Sequence, residues 1–262
     1  MDLAYLSIEK VEVFVLVLAR TAGIFSLVPI FGASQVPAQV RVAMALGLAL
    51  VLVPLNTAAG AGPIAADVLS MTVLIAKEAI VGLVIGFVAV LVFAAIQAAG
   101  DFVDFQAGFT FASMLDPMHG SQTAIAGRFH HLLAGMIFLV TNAHYIMLCG
   151  LADSFRLVPL GQLAFSPAAA GGVVDLFAAL FAVSLRIAAP VLGAVFLADV
   201  AMVIVARAVP QMNILIVGFP LKLGVGMVGM VIALPVAVAL MRGTLADIYP
   251  YTAGLLRLLT AT

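Results

Sequence analysis

Charge is what this sequence has least of. Only 9% of its 262 residues are Asp, Glu, Lys or Arg, and the formal net charge is -1. Soluble globular chains carry about 25% charged residues, so a water-facing surface cannot be covered and a soluble enzyme is excluded. No basic excess exists to hold phosphates, which excludes a nucleic-acid binder. The single cysteine, Cys149, excludes an intramolecular disulfide framework; lying in an apolar run, it reads as a small buried hydrophobe. Clustered positive charge is missing as well. Residues 1–10 carry Asp2, Glu9 and a lone Lys10, unlike a signal peptide, so the first hydrophobic block is expected to stay in the mature protein. The 11 Lys and Arg are scattered almost singly, so the positive-inside rule gives no orientation.

Hydrophobic residues fill the space that charge leaves, at 65% of the chain, which makes it an integral membrane protein. Six apolar blocks run over roughly 11–31, 36–55, 64–99, 129–152, 173–209 and 214–240. A helix rising ~1.5 Å per residue needs about 20 apolar residues to cross a bilayer, so four blocks suit one crossing each. The third and fifth are over-long. Each is either a broken pair of short helices or one long helix that leaves the bilayer, and Pro190 is expected to kink the fifth. Gly82 and Gly86 form a GxxxG pair; Ala94, Ala95, Ala98 and Gly100, like Gly224, Gly226 and Gly229, would let helices approach closely. The expected fold is an all-α membrane protein of about six long, partly kinked helices.

The charges inside these blocks are isolated: Glu12, Arg20, Arg41, Lys77, Glu78, Arg186, Asp199, Arg207 and Lys222. At the bilayer centre each costs at least ~2.5–3.5 kcal/mol on insertion scales, so all of them facing lipid is implausible. Interhelical or intersubunit pairing is the favoured reading, with Arg20, Arg41, Lys77, Glu78, Arg186 and Asp199 as intersubunit candidates. A proton or ion path, as in a secondary transporter, is the other, although no matched pair of broken-helix halves is visible. Over-long blocks with single charges suit apolar surface covered mainly by other protein chains.

Nothing points to catalysis. Among His119, His130, His131 and His144 no Cys or carboxylate lies at ligand spacing, and adjacent His130 and His131 face different sides of a helix. Helix–helix hydrogen bonds are expected of them instead. Asp101 and Asp104 share a helical face but close an apolar block, which reads as a solvated helix end. No Ser–His pair sits in a nucleophile elbow. Neither a metal nor a cofactor is expected.

Two connecting segments are too apolar for ordinary exposed loops. Residues 108–127, GFTFASMLDPMHGSQTAIAG, carry one charge, Asp116, among Phe109, Phe111, Met114, Leu115 and Met118. Irregular backbone of this kind is tolerated near a membrane where protein buries it or where it lines a cavity. Phe and Met suit a hydrophobic constriction, so the segment reads as a pore-lining or plugging loop, or as a packed re-entrant turn. Residues 209–222, VPQMNILIVGFPLK, join the last two blocks. Pro210 and Pro220 are expected to stop the helices there, with Gln211 and Asn213 bonding the freed backbone groups.

These segments resemble the FliR family of type III export-gate subunits. Arg207-x-x-Pro210-Gln211-Met212-Asn213, running into Gly218-Phe219-Pro220-Leu221-Lys222, carries the likeness. In order along nearly the whole chain it is joined by Leu18-Ala19-Arg20-x-x-Gly23, Pro29-x-Phe31-Gly32 and Val36-Pro37-x-x-x-Arg41. Phe111-Ala112-Ser113 with Asp116-Pro117, Phe138-Leu139 with Asn142-x-His144, and Ser154-Phe155 with Pro159-Leu160-Gly161 follow. Asp104 and Ala107 depart from the pattern, standing where the family has Gly and Met.

The resemblance implies a non-enzymatic subunit: a FliP-like unit over residues 1–172, containing the 108–127 plug loop, then a FliQ-like helical hairpin and tail over 173–262. It implies assembly with FliP-like and FliQ-like subunits into a channel for unfolded flagellar proteins. That channel would sit in the bacterial inner membrane, among its lipids, at the flagellar basal body. The family's closing loop falls at Gly108 to about Gln122, with Phe109, Phe111 and Met114 as contact residues and Leu115, Pro117 and Met118 as further members of the plug loop. Pro210, Gln211, Asn213, Pro220 and Lys222 would form the hairpin tip, facing an FlhB-like partner. The alternatives are the homologous subunit of a virulence injectisome and an autonomous secondary transporter.

Overall fold

A computed structural model describes residues 3–29, 36–57, 67–109, 124–164, 166–211 and 213–260. Its regular elements are all α-helices: α1 (Leu3–Leu27), α2 (Ala38–Thr57), α3 (Val68–Ala107), α4 (Ile125–Val140), α5 (Ala143–Leu157), α6 (Pro167–Ala208), α7 (Ile214–Ala246) and α8 (Ile248–Leu258). Among the described residues, three stretches are long and apolar enough to cross a membrane: Val68–Ala107, Pro167–Ala208 and Ile216–Leu258. The bent α4–α5 pair makes a fourth if counted as one span. The chain is an all-α membrane protein.

Both over-long blocks are single continuous helices. At ~1.5 Å per residue, the 40 residues of α3 and the 42 of α6 reach about 60 Å, twice the ~30 Å of hydrocarbon in a bilayer. Pro190 stands inside α6 without ending it. The fourth block, by contrast, is two helices bent by 70°. Thr141 Oγ1 turns back to donate to Ile137 O at 2.8 Å, and Asn142 takes φ 56°, a left-handed conformation that Asn tolerates better than most residues. Pro220 corrects the expectation at the last turn. It lies inside α7, which starts at Ile214, so the break is confined to residues 209–213 and Lys222 is helical. Cys149 is exposed on α5, not buried as its apolar surroundings suggested.

The chain divides into two compact units. One comprises Met1–Leu91, Asn142–Phe177 and Ala246–Thr262. Val13, Leu16, Val17, Ile24 and Phe25 of α1 are buried there with Ala45, Ala49 and Leu52 of α2 and Val81, Ile85 and Val88 of α3. Gly82 of α3 meets the backbone of Arg20, and Gly86 meets Ile24 and Leu27, so the GxxxG pair is a helix contact. The other unit comprises Val92–Thr141 and Ala178–Leu245. Phe93 is its aromatic centre, edge-on to Phe138 at 5.5 Å and to His131 at 5.8 Å. Gly229 of α7 packs on Val191 and Ala194 of α6, which makes those helices an antiparallel hairpin.

α3 begins with a reciprocal cap, in which Ser70 N donates to Asp67 Oδ1 at 3.0 Å and Asp67 N to Ser70 Oγ at 3.1 Å. Hydrogen bonds from Ser70 hold the Asp67 carboxyl below its ordinary value of 3.8. Because the folded value is depressed, the cap's contribution is complete above the ordinary value and is lost as pH falls through the lower one. Amide exchange of the first α3 turn, corrected for intrinsic rates, should therefore be faster in Asp67→Ala than in the native chain near neutrality. The two should converge in strong acid. Equal exchange at neutral pH would remove the cap from the stability of α3.

Candidate functional site

In the first unit, one cluster built on a fully buried ion pair gathers three segments that are distant in sequence. Arg20 of α1 and Glu78 of α3 are both 0% exposed and paired at 2.6 Å. Arg20 Nε donates to Glu78 Oε2 at 2.7 Å, Nη1 to Ser154 Oγ at 3.1 Å and Nη2 to Val158 O at 2.9 Å. The Phe155 ring lies 4.2 Å beneath the guanidinium carbon. The second carboxylate oxygen of Glu78 accepts from Gly161 N at 2.7 Å, and Lys77 Nζ reaches Gly161 O at 3.4 Å. Gly161 takes φ 77°, a turn that glycine adopts without strain. A dry ion pair persists when its remaining donors and acceptors are satisfied, as these are. Of the intersubunit candidates, Arg20 and Glu78 thus find each other inside the chain.

In the second unit, one group of polar side chains lies at the C-terminal end of α3. Asp104 is buried and accepts from Ala126 N and Gly127 N, both at 2.9 Å, capping the first turn of α4 from a neighbouring helix. The expectation of a solvated helix end is therefore corrected for Asp104. The close approach that brings the cap in is made by Gly100, which meets Ala126 and Gly127, and by Gly127, which meets Asp101. His130 Nδ1 donates to Ala126 O at 2.8 Å within its own helix, so its bond is local and not between helices. His131 Nδ1 is buried with no hydrogen-bond partner among the described residues.

Gln106, Asp199 and Lys222 form the other half of this end. Lys222 Nζ lies 2.7 Å from Asp199 Oδ1, and Gln106 Nε2 donates to Asp199 Oδ2 at 3.2 Å. Gly108, with φ 86°, lies under the Phe219 ring, while Ala107 and Phe109 lie against Gly226. Asp199, another of the intersubunit candidates, thus also finds its counter-charge within the chain. Arg186 is exposed on α6, and Arg41 Nε is buried without a hydrogen-bond partner among the described residues. Pro210, Gln211 and Asn213 are exposed in the turn. Phe109 is half-buried, whereas Phe111, Met114, Leu115, Pro117 and Met118 lie outside the described residues, as do His119 and Met212. Among the described residues no His, Cys, Asp and Glu group could hold a metal.

A family model for bacterial export proteins, family 1, matches residues 11–248. The chain belongs to this family. It is 35% identical over 240 residues to the flagellar biosynthetic protein FliR of Bacillus subtilis, covering 90% of this chain and 91% of that one. It is 25% identical over 239 residues to FliR of Escherichia coli, covering 91% and 90%. To the Yop proteins translocation protein T of Yersinia pestis it is 32% identical over 213 residues, 80% of either chain.

Some residues of this export protein's sites escape sequence reading. Ser154, Phe155 and Gly161 sit in family-like motifs but give no sign of surrounding the Arg20–Glu78 pair, because the hydrogen bonds of Ser154 and Gly161 cross more than 80 positions of chain. Gln106 carries no distinguishing signal. A neutral amide two residues after Asp104, at the end of an apolar helix, looks like part of an ordinary solvated terminus.

Proposed function

We propose that this chain is a subunit of the flagellar type III protein export gate in the bacterial inner membrane. With FliP-like and FliQ-like subunits it forms the channel through which unfolded flagellar proteins cross, at the basal body and beside an FlhB-like partner. The role is that of conduit and gate, not of an enzyme. The observation that carries this reading is the likeness to FliR along 90% of the chain. The hairpin supports it physically. Only 22% of the most apolar window of α6 and 17% of that of the last span are buried by the chain itself, as suits helices made to pack on other subunits. The FliP-like part is read as residues 1–172 and the FliQ-like part as 173–262.

Segment 108–127 closes the channel in this reading. Its described ends support that role: Asp104 binds the chain at Ala126 and Gly127, and Gly108 is seated under Phe219, so both ends are anchored near the end of α3. Phe109, Phe111 and Met114 supply the apolar constriction, which excludes ions by shedding water until a substrate chain threads through. Replacing all three with Ala in the assembled complex should raise ion leak across the membrane at least about tenfold. Leak equal to that of the native complex would overturn the assignment. The likeness to the Yersinia translocation protein favours one second reading, an injectisome subunit. Loss of motility on deletion distinguishes the two.

A further inference from the structure

The long, apolar α6 carries a carboxylate at Asp199, flanked by Phe196, Leu197, Ala198, Val200, Ala201 and Met202. A lone carboxylate there is costly in a membrane. The structure gives each of its two oxygens a different task. Oδ1 takes the Lys222 ammonium of α7 at 2.7 Å, and Oδ2 takes the Gln106 amide of α3 at 3.2 Å. The side chains of Asp199 and Lys222 remain 27% and 29% exposed, so the carboxylate is bridging partly open helices and not filling a closed core. Apolar contacts run alongside the bridge: Phe219 over Gly108, and Gly226 against Ala107 and Phe109. A flexible Lys reaching one oxygen leaves the other free for a directional amide bond, which fixes both the depth and the rotation of α3 at its last turn.

We propose that Asp199 is a positioning residue, which with Lys222 holds Gln106 and so sets where the chain leaves α3 at Gly108 and Phe109. The proposal rests on the reading of residues 108–127 as the channel-closing segment, whose root this is. It adds a link that the reading lacks. The turn at 209–213 lies about ten residues from Asp199 along α6 and from Lys222 along α7, or ~15 Å of helix. A load on that turn therefore reaches the root of the closing segment through this bridge and the apolar contacts beside it.

The test uses the assembled complex in membranes, with a thiol introduced by Phe109→Cys and labelled by a water-soluble maleimide. Adding Asp199→Ala should speed labelling at position 109 about tenfold, while labelling of the native Cys149, measured in the chain without Phe109→Cys, stays unchanged. The exchange Asp199→Lys with Lys222→Asp restores the ion pair, and the Gln106 amide can turn to offer its oxygen; slow labelling should return. Ion leak, measured with Phe109 intact, should rise with Asp199→Ala and fall again with the exchange. Unchanged labelling at 109, or no recovery in the exchanged pair, overturns the positioning role. If Asp199→Ala fails to assemble, Gln106→Leu removes only the amide link and must itself speed labelling at 109, or the proposal fails. Faster labelling without any added leak sustains the positioning role and instead rejects the closing-segment reading.

Discussion

Glu78→Ala is expected to destabilise the folded chain by about 3–5 kcal/mol, the usual result of leaving one member of a buried ion pair unmatched. Two losses combine. Arg20 remains at 0% exposure with its charge uncompensated, and Gly161 N loses its acceptor, which leaves the turn after α5 only the longer Lys77 hydrogen bond to α3. An SDS titration of the chain in detergent micelles, followed by far-UV circular dichroism, measures the change. The double variant Arg20→Met with Glu78→Leu should be much less harmful than Glu78→Ala, because it removes both charges together and supplies apolar volume. It should not be neutral. Gly161 N and Val158 O still lose their partners, and a buried unsatisfied group costs about 1–3 kcal/mol. A loss below about 1 kcal/mol for Glu78→Ala would mean that water reaches the pair, and would end its role as the organiser of the first unit.

This cluster also marks how far the sequence can be read. Helical content, the blocks and the Gly82 and Gly86 contacts follow from local pattern, since apolar length and small-residue spacing are written in neighbouring positions. Gly224, read in the same way, has nothing within 4 Å of the place its Cβ would occupy. Arg20 and Glu78 are visible as charges too costly to leave in lipid, and a pairing of some kind follows from that cost. Which charge meets which does not follow, because the choice depends on α1 and α3 crossing at Gly23 and Gly82, and on α5 returning Ser154 and Phe155 to the same point. Pro220 misleads for a related reason. A proline lacks an N–H and crowds the preceding turn, but at position 220 the bond given up is the one to Ile216 O, in the first turn of α7, where the ladder is only beginning. Asp104 misleads through its sequence neighbours, which suggest a solvated end. Its actual partners, Ala126 N and Gly127 N, lie 22 and 23 residues away.

Gly82→Ala should destabilise the chain even though alanine is the better helix former. The propensity gain is about 0.8–1.0 kcal/mol in a helix interior. Against it, a Cβ at position 82 would collide with the carbonyl oxygen of Arg20 and lie 2.9 Å from its carbonyl carbon and 3.1 Å from its Cα. Those atoms are backbone, so the strain cannot be relieved by a rotamer change and α1 must move away from α3. Overpacking of this kind costs about 1–3 kcal/mol and sometimes more. The displacement also draws the Arg20 guanidinium off Glu78, so part of the ion-pair cost is added, and a net loss of about 2 kcal/mol or more is expected. Gly135 is the control. Nothing lies within 4 Å of the place its Cβ would occupy, so Gly135→Ala should stabilise by about 0.5–1 kcal/mol in the same titration. Combining Gly82→Ala with Glu78→Ala decides the mechanism. If the glycine acts by seating Arg20 on Glu78, the double variant should lose clearly less than the two single losses added together. Strict additivity would show that the α1–α3 crossing and the ion pair stabilise the unit independently.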